Sequence, residues 1–285
     1  MRKISLLLLT LCSLCLSSGA LSAQLELGVK GGIAVYSGDL SPSTFGIFQD
    51  DIEFAGGVYL RYRPIPRVGV RVNGNFGRLS AERTYAVPNE FNERTEISRQ
   101  FRSPLTEFNI VGELDLFYIG DPEDNFFAPY VYGGVGVLSY NPQAPNQDGN
   151  LVDLQPLRTE GQGLDPSRYA ATPYELTRVV GIAGAGVRTR FGGRFVVGLE
   201  FGTRFTGTDY IDDVGSTQVR YGDLLGSELG SQAAFFSNSA VTDPAEALDF
   251  EYVRGGDRND YYFVGGLTFG ITIGQGSNKS GCYTF

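Results

Sequence analysis

The sequence predicts an all-β fold, an eight-stranded up-and-down transmembrane β-barrel with long extracellular loops and short periplasmic turns. Three observations lead to this prediction. Apolar and polar residues alternate in eight stretches of about 10 to 16 residues, whereas strands of soluble proteins average about 5 to 6 residues. Beyond residue 23, no apolar run reaches the roughly 18 residues that a membrane helix needs. The connections between the stretches alternate between short and long.

The composition supports a strand-rich protein and excludes several enzyme classes. Of the 285 residues, 39 are glycine, about twice the usual share, and 20 Phe and 16 Tyr accompany them. There is no histidine, so Ser/His and Cys/His catalytic pairs and imidazole zinc sites are excluded. Because no catalytic residues and no cofactor motif are found, we expect a protein that is not an enzyme and binds no cofactor.

The first 23 residues predict a secretory signal peptide. Arg2 and Lys3 precede an apolar run over residues 6–16, and small residues follow up to Ala23. Cleavage after Ala23 leaves residues 24–285 as a single barrel domain. The loss of Arg2 and Lys3 changes Lys+Arg from 23 to 21 against 32 Asp+Glu, a net charge of -11. Such an acidic chain is not expected to bind nucleic acid.

Seven of the eight strands have a clear apolar face, which we expect to contact lipid. The fifth, over residues 130–140, has aromatic residues and glycine on one face and valines on the other, so its orientation stays open. The apolar faces of the other strands, in chain order, are Leu25, Leu27, Val29, Ile33 and Val35; Phe54, Val58, Leu60 and Tyr62; Val68, Val70, Val72 and Phe76; Phe108, Ile110, Leu114, Leu116 and Tyr118; Val179, Ala183, Ala185 and Val187; Phe195, Val197, Leu199, Phe201 and Phe205; Tyr261, Phe263, Leu267, Phe269, Ile271 and Ile273.

The opposite faces carry charged residues of both signs. The interior of an eight-stranded barrel is filled by side chains, so these residues predict an ion-pair network inside the lumen. A lumen that passes ions or a substrate is the alternative. The predicted network contains Lys30, Arg61, Arg63, Arg71, Arg178, Arg188 and Arg204, together with Glu26, Glu107, Glu113, Asp115 and Glu200.

The connections predict which side of the membrane each end of the barrel faces. The short ones cover residues 64–66, 120–129 and 192–193, and the long ones cover residues 37–53, 79–103, 141–174 and 207–260. An even number of strands places both termini in the periplasm, with the short turns there and the long loops outside. The predicted location is therefore the outer membrane of a Gram-negative-type envelope, in contact with its lipids. A secreted β-sandwich is the rival architecture, but its outward face would be polar.

An acidic segment beyond the seventh strand is the one candidate metal site. Asp209, Asp212 and Asp213 lie within five residues, and carboxylate oxygens are ligands for a hard cation such as calcium. The spacing is not that of an EF-hand loop. A solvated acidic turn, or carboxylates that cap backbone amides, is the alternative reading.

Six segments resemble the PorG-type outer-membrane barrels of the type IX secretion system. Two of them cover residues 154–163 and 208–214, and their most specific parts are Thr-Glu-Gly-Gln-Gly at 159–163 and Thr-Asp-Tyr-Ile-Asp-Asp at 208–213. The others are Ser-Gly-Asp-Leu at 37–40, Phe-Arg-Ser-Pro-Leu-Thr-Glu at 101–107, Pro-Tyr-Val-Tyr-Gly-Gly at 129–134 and Tyr-Asn-Pro-Gln-Ala at 140–144. The resemblance implies a non-enzymatic component that anchors the periplasmic ring of the secretion machinery, a lipoprotein and its partner, to the outer membrane.

If the resemblance holds, partner contacts fall on the periplasmic turn at 120–129. We expect them at the acidic and aromatic residues Asp121, Glu123, Asp124, Phe126 and Phe127. The alternative is a solvated turn whose aromatic residues sit at the membrane interface. Two other functions remain open, a surface adhesin or ligand-binding barrel that acts through its long outer loops, and a small channel.

Overall fold

The computed structural model describes residues 24–41, 51–122 and 124–273. The predicted signal peptide and the segment after residue 273 lie outside the described residues. Eight long strands form the body of the protein: β1 (Gln24–Ser37), β2 (Ile52–Ile65), β3 (Val68–Pro88), β4 (Arg94–Asp115), β6 (Phe126–Tyr140), β9 (Thr177–Phe191), β10 (Phe195–Phe205) and β13 (Tyr261–Ile273).

The remaining elements are short and lie in the connections. They are β5 (Ile119–Gly120), β7 (Gln143–Pro145), β8 (Leu151–Asp153), a 3-10 turn (Gln155–Leu157), β11 (Gln218–Arg220), α1 (Tyr221–Leu225), α2 (Gly230–Ser237) and β12 (Glu251–Val253). Among the described residues, no helix has both the length and the apolarity to cross a membrane.

The eight long strands pair antiparallel in a ring. Each strand pairs with its neighbours in the chain, β4 continues to β6 and β6 to β9, and β13 returns to β1 over the length of both strands. Every long strand therefore has a partner on both sides. The prediction of an eight-stranded up-and-down barrel is confirmed.

The outer surface of the ring carries an apolar belt. Side chains at alternate positions are exposed, for example Leu27, Val58, Ile110 and Leu199. Aromatic pairs lie near both rims of the belt. Their ring centroids are 6.2 Å apart for Phe54 and Phe76, 5.4 Å for Phe201 and Phe263, and 5.9 Å for Phe191 and Phe195. An apolar band between aromatic girdles is the surface that a barrel presents to a bilayer.

Glycines on the inner face make room for the lumen tyrosines. A Cβ added at Gly28 would lie 2.3 Å from the ring of Tyr59, and one added at Gly184 would lie 2.3 Å from the ring of Tyr132. Each ring lies over the glycine that pairs with its tyrosine on the neighbouring strand. The fifth predicted strand, whose orientation was open, points Tyr130 and Tyr132 inward and Val131 outward.

One predicted loop is a strand pair. Residues 79–103 are predicted as a long outer loop, but β3 and β4 stay in register up to the pair Pro88 and Arg94. The alternation continues there, but the polar and apolar residues exchange faces. Leu79, Ala81 and Phe101 are buried on the inner side, and the outward side is polar. The apolar outward face of β3 therefore ends at Phe76.

Three further details of the prediction are wrong. The chain leaves the sheet at Asp115, so Leu116 and Tyr118 do not continue β4, and the Tyr118 hydroxyl donates to Asp115 Oδ2 at 2.5 Å. The turn predicted at 120–129 is shorter, because Ile119–Gly120 pairs with the start of β6. Val35 was expected on the lipid face but is buried at the outer end of β1.

The outer connections fold into a cap above the ring. Loop 207–260 has a small core of its own, formed by Val219, Tyr221, Leu224, Ala234, Ala247 and Tyr252. The cap is tied to the β3–β4 hairpin. Arg99 donates to the carbonyl of Arg254 at 3.1 Å and to that of Ser237 at 3.1 Å, and Glu90 near the hairpin tip accepts from Thr242 Oγ1 at 2.6 Å.

Candidate functional site

Glu113 of β4 is the centre of the lumen. Its carboxylate lies 2.8 Å from Arg61 Nε, 2.9 Å from Arg71 Nε and 2.6 Å from Arg188 Nη1, and all four side chains are buried. The alternation of each strand points these residues inward, and the ring brings four strands together around one carboxylate. Three guanidiniums around one carboxylate form a cross-brace between β2, β3, β4 and β9.

Further ion pairs fill the lumen on both sides of Glu113. Towards the outer end, Arg71 Nη1 is 2.7 Å and Lys30 Nζ 3.7 Å from Glu200, and Arg204 Nε is 3.3 Å from Glu107. Towards the periplasmic end, Arg61 pairs with Glu26, and Arg188 with Asp115. Buried charges in this arrangement are mutually compensated. Arg178 is the one predicted member that lies apart, half-buried at the outer end of β9 beside Tyr140.

Little free space is left between these side chains. A cavity lined by Lys30, Glu107, Glu200 and Arg204 has a volume of about 20 Å³, room for on the order of one water molecule. Rings of Tyr59, Tyr130 and Tyr132 lie against the guanidiniums, with the Cζ of Arg188 4.4 Å from the ring centroid of Tyr130. At this level the interior is packed with side chains.

The predicted partner-binding residues do not form one surface. Asp121 and Asp124 are exposed on the periplasmic turn, and Glu123 lies outside the described residues. Phe127 is 40% exposed and faces outward, at the lipid side, whereas Phe126 is 3% exposed because it points into the lumen. The expectation that Phe126 contributes to an exposed patch is therefore wrong. Adjacent residues of a strand point to opposite faces, and both residues belong to β6.

The two most specific sequence segments meet inside the outer cap. Glu160 accepts from the Gly215 amide at 2.7 Å and from the Tyr210 hydroxyl at 3.1 Å. Asp213 accepts from the Tyr174 hydroxyl at 2.7 Å and from Thr159 Oγ1 at 2.5 Å. Burial raises the pKa of Glu160, against the opposing charge of Arg254.

Arg254 connects these segments to the end of the long loop. Its Nη1 donates to Thr159 Oγ1 at 2.5 Å and to Asp213 Oδ2 at 3.2 Å, and it lies 3.8 Å from Glu160. The contacts cross from the 159–163 segment to the 208–213 segment and on to residue 254. Residues far apart in the chain therefore close one buried polar network.

In a second part of the cap, two carboxyl groups contact the same hydroxyl group. The Tyr36 hydroxyl is 2.7 Å from Asp212 Oδ2 and 2.8 Å from Asp260 Oδ1, and all three side chains are buried. One hydroxyl hydrogen cannot satisfy two carboxylates. Burial raises the pKa of Asp212 to about 7, and burial with the charge of Asp212 raises the pKa of Asp260 well above its usual range. Burial therefore favours the protonated form of these two carboxyl groups.

The candidate metal ligands point to different partners. Asp212 faces Tyr36 and Asp213 faces Arg254, while Asp209 stays half-buried, where burial and then Asp39 and Asp212 raise its pKa to about 8. Across residues 24–41, 51–122 and 124–273, no group of three or more His, Cys, Asp or Glu side chains is arranged to hold a metal ion. The alternative reading, carboxylates that cap amides, describes Asp212, whose Oδ1 accepts from the Val214 amide at 3.0 Å.

The family of the chain follows from its amino-terminal half. Residues 3–156, which run from the start of the chain to the 3-10 turn beyond β8, match the model of DUF6089, described as a domain of unknown function. The chain belongs to the DUF6089 family. In this DUF6089 protein the match covers β1 to β8, and with them one side of the ring. A comparison with the curated proteins finds no match to the chain.

Several solved outer-membrane barrels are similar in general outline. The Neisserial surface protein A is 11% identical with a TM-score of 0.37, and covers 90% of this chain and 99% of its own. The N-terminal barrel domain of Pseudomonas aeruginosa OprF is 10% identical with a TM-score of 0.35, covering 88% and 98%. Ail of Yersinia pestis, in complex with the heparin analogue sucrose octasulfate, is 9% identical with a TM-score of 0.34, covering 88% and 97%. Superpositions this loose add nothing to the architecture that strand pairing defines.

Sequence reasoning did not find four residues of these networks. Arg190 lies on the same face as Arg188, two positions further along β9, so the alternation could have included it. No such signal marks Tyr36, Arg254 and Asp260, because they bind residues far away in the chain. Tyr36 contacts Asp212 and Asp260, 176 and 224 residues away, and Arg254 contacts Asp213 and Thr159, 41 and 95 residues away. Only the closed tertiary structure brings them together.

Proposed function

We propose that this DUF6089 protein is a non-enzymatic outer-membrane barrel of the type IX secretion system, which anchors the periplasmic ring of that machinery. The observation that carries the proposal is the packed lumen. In the described part of the barrel, ion pairs around Glu113 cross-brace the interior and leave little room for a substrate to pass, so the function is assigned to the surfaces. A rigid membrane anchor is a function that needs such an interior.

The location in the outer membrane is supported by the apolar belt. A ring with an exposed apolar face and polar side chains inside is stable only where lipid covers that face. The short turns at 66–67, 121–125 and 192–194 then lie in the periplasm and the cap lies outside. A periplasmic partner would meet the end of the barrel that bears Asp121 and Asp124.

Contacts inside the cap support the resemblance to PorG-type barrels. The segments 159–163 and 208–213, on which the resemblance chiefly rests, contact each other through Thr159 and Asp213. They are parts of one buried network rather than two unrelated matches. This supports a shared frame with those barrels, and the secretion role is inferred from that resemblance.

A second candidate is a surface-exposed barrel that binds a ligand through its outer loops. The cap favours it, because the long loop has its own core and is fixed to the β3–β4 hairpin. A structured outer surface of this kind is a usual place for a binding function. It would act without any periplasmic partner.

Deletion of the gene tests the proposal. The export of proteins that carry type IX signals is measured in the medium and on the cell surface, and a tagged copy of the protein is used to recover partners from the envelope. Loss of export with recovery of the ring proteins is the expected result. Normal export with no ring protein recovered would contradict the scaffold function and direct the search to ligands of the cap.

A matched pair of variants tests the periplasmic turn. Asp121→Lys with Asp124→Lys reverses the exposed charge of the turn, whereas Asp148→Lys reverses an exposed charge in an outer loop. If partner contacts fall on the turn, the amount of ring recovered by the double variant differs from that recovered by the wild-type protein, whereas Asp148→Lys recovers as much as the wild-type protein. Equal recovery by all three proteins would remove the turn from the contact surface.

A further inference from the structure

The periplasmic end of the lumen holds two arginines against one aromatic ring. Arg63 of β2 is 4% exposed and Arg190 of β9 is 1% exposed. Their Cζ atoms lie 5.6 Å and 5.0 Å from the ring centroid of Phe126. Strand register places Arg63 opposite Gln24 and Arg190 opposite Phe126, at the last inward positions before the periplasmic turns.

These two guanidiniums are less well compensated than those deeper in the lumen. Arg63 Nη2 approaches a carboxylate only at 3.9 Å, from Glu26 Oε2, which is beyond hydrogen-bond distance, while the other oxygen of Glu26, Oε1, is bound by Arg61. Among the described residues, Nε and Nη2 of Arg63 have no hydrogen-bond acceptor.

Arg190 has only neutral acceptors in the described part of the chain. It donates to Gln24 Oε1 at 2.6 Å and to the Pro122 carbonyl at 3.4 Å, and its Nε has no acceptor. Buried donors without acceptors are costly, and buried cations without a nearby anion are more so. This layer of the lumen therefore carries excess positive charge together with free N–H groups.

We propose that the periplasmic mouth of the barrel binds a carboxylate from an acidic segment of a periplasmic protein, with Arg63 and Arg190 as its ligands. A carboxylate accepts two parallel N–H groups from a guanidinium. The inference rests on the proposed function, in which a partner meets this end of the barrel, and it specifies the chemistry of that partner. A lipid phosphate carries similar charge, but headgroups surround the outside of the ring, and these guanidiniums face its inside.

The described residues of the periplasmic turn, 121–122 and 124–125, lie beside this layer. Arg190 donates to the Pro122 carbonyl of the turn. Two backbone hydrogen bonds are formed within the turn, from the Asp121 amide to the Asn125 carbonyl at 2.8 Å and from the Asp124 amide to the Asp121 carbonyl at 3.1 Å, next to Gly120 with a φ of +103°. The exposed carboxylates of Asp121 and Asp124 repel an acidic ligand, so their removal strengthens binding.

Binding of a labelled acidic peptide to the purified mature barrel tests the proposal. The protein is held in an uncharged detergent, and the anisotropy of fluorescein-labelled hexaglutamate is titrated, with hexaglutamine as the uncharged probe. We expect saturable binding of hexaglutamate, which added salt weakens. Arg63→Gln and Arg190→Gln each weaken it at least tenfold. Arg67→Gln, which removes an exposed arginine of the neighbouring turn, leaves it unchanged.

Two further measurements complete the test. Asp121→Asn with Asp124→Asn is expected to tighten binding about threefold or more. Folding of every variant is checked by its heat-dependent migration in gels, and Arg63→Lys, which keeps the charge and loses the bidentate fork, serves if Arg63→Gln does not fold. Arg63→Lys is also expected to weaken binding.

Several outcomes would overturn the proposal. These are no saturable binding of hexaglutamate, equal binding by the folded Arg63 and Arg190 variants, or binding of sn-glycerol 3-phosphate as a headgroup probe without binding of hexaglutamate. No secretion protein takes part in the assay. Loss of peptide binding and loss of the secretion role are therefore separate results.

Discussion

At the residue scale, the lumen depends on a few side chains that serve several partners. Glu113 is shared by three arginines, and Glu200 by Arg71 and Lys30. A buried ion pair adds little net stability when it replaces apolar packing, but the loss of one partner leaves an uncompensated buried charge. Substitutions at the shared carboxylates are therefore more harmful than substitutions at single surface charges.

Glu113→Gln is expected to lower the free energy of unfolding by about 3 to 5 kcal/mol, because three guanidiniums then surround a neutral amide. Urea unfolding of the refolded barrel, followed by far-ultraviolet circular dichroism, measures the change. Glu96→Gln on the same strand is the control, since Glu96 is exposed and its loss should change stability by less than about 0.5 kcal/mol. Equal effects of the two substitutions would show that Glu113 is not the shared centre of the lumen.

The cap is expected to loosen as the pH rises, because burial raises the pKa values of Asp212 and Asp260. The pKa of Asp212 is 3.8 for a free carboxyl and about 7 in the fold. Between these values the folded cap binds more protons than the unfolded one, so stability is full below pH 4 and falls as the pH rises through 7. Hydrogen-exchange protection of residues 208–215, corrected for intrinsic rates, should decrease about tenfold or more from pH 5 to pH 8.

Asp212→Asn tests this origin of the pH dependence. The amide supplies a permanent N–H where the protonated carboxyl supplies an O–H, so the decrease in protection should be about threefold smaller than in the wild-type protein. The decrease that remains is assigned to Asp209, whose pKa is about 8, and to Asp260. Asp148→Asn, in an exposed outer turn, should keep the wild-type dependence. A wild-type cap whose corrected protection is the same at both pH values would contradict the raised pKa values of Asp212 and Asp260.

At the element scale, the β3–β4 hairpin forms part of the barrel wall and also supports the cap. Up to Phe76 its outward face is part of the apolar belt, and beyond that residue the hairpin rises from the membrane with a polar outward face. Its inner face there packs against the cap through Leu79, Ala81 and Phe101. Part-way along the hairpin, its surroundings change from lipid to the cap. The apolar side chains therefore change from the outward face to the inward face.

Replacement of residues 79–103 by an Asn-Gly turn tests the two roles of the hairpin. Arg78 pairs with Pro104, so a two-residue turn can close the shortened hairpin. We expect the ring to fold, seen as heat-dependent migration, and loop 207–260 to become sensitive to limited proteolysis, since it loses Arg99 and Glu90.

The control for the shortened hairpin replaces only the exposed tip at 146–150, between β7 and β8. That change should leave loop 207–260 as resistant as in the wild-type protein. A resistant loop in the shortened-hairpin variant would show that the cap is stable without the hairpin, through its small core around Tyr221 and Leu224 and through contacts such as the one between Arg254 and Thr159.

At the scale of the whole molecule, the protein is a filled ring with a structured outer cap and short periplasmic turns. All of the pairings around the ring are antiparallel between neighbouring long strands. Arginine, glutamate and tyrosine side chains occupy the interior, while glycines allow the tyrosine rings to lie close to the wall. Such a molecule is suited to hold its two ends at fixed positions on either side of a membrane.

The filled interior predicts that the barrel does not conduct ions. Purified protein inserted into planar lipid bilayers should give no stepwise conductance, whereas a large porin measured in the same membranes gives open-channel steps. The cavity of about 20 Å³ beside Lys30 is too small for a continuous water column. Stable conductance steps from the wild-type protein would contradict this and favour the channel function.

The sequence by itself determined the barrel, because period-2 alternation is a local property of each strand. It predicted the number of strands, the inward direction of residues such as Arg61 and Glu113, and the alternation of short and long connections. It placed the end of β3 too early, because the environment of the hairpin changes from lipid to the cap, and only the tertiary structure holds that information.

Only the closed structure decided which charges meet. Partners such as Tyr36 and Asp260 are 224 residues apart, and no local pattern connects them. Arg61 and Arg63 lie on the same face of β2, so the sequence does not distinguish them. The charge of Arg61 is well compensated and that of Arg63 is not, because the two residues have different neighbours across the lumen. Alternation sets the face on which a side chain lies, and the register between distant strands sets what it touches.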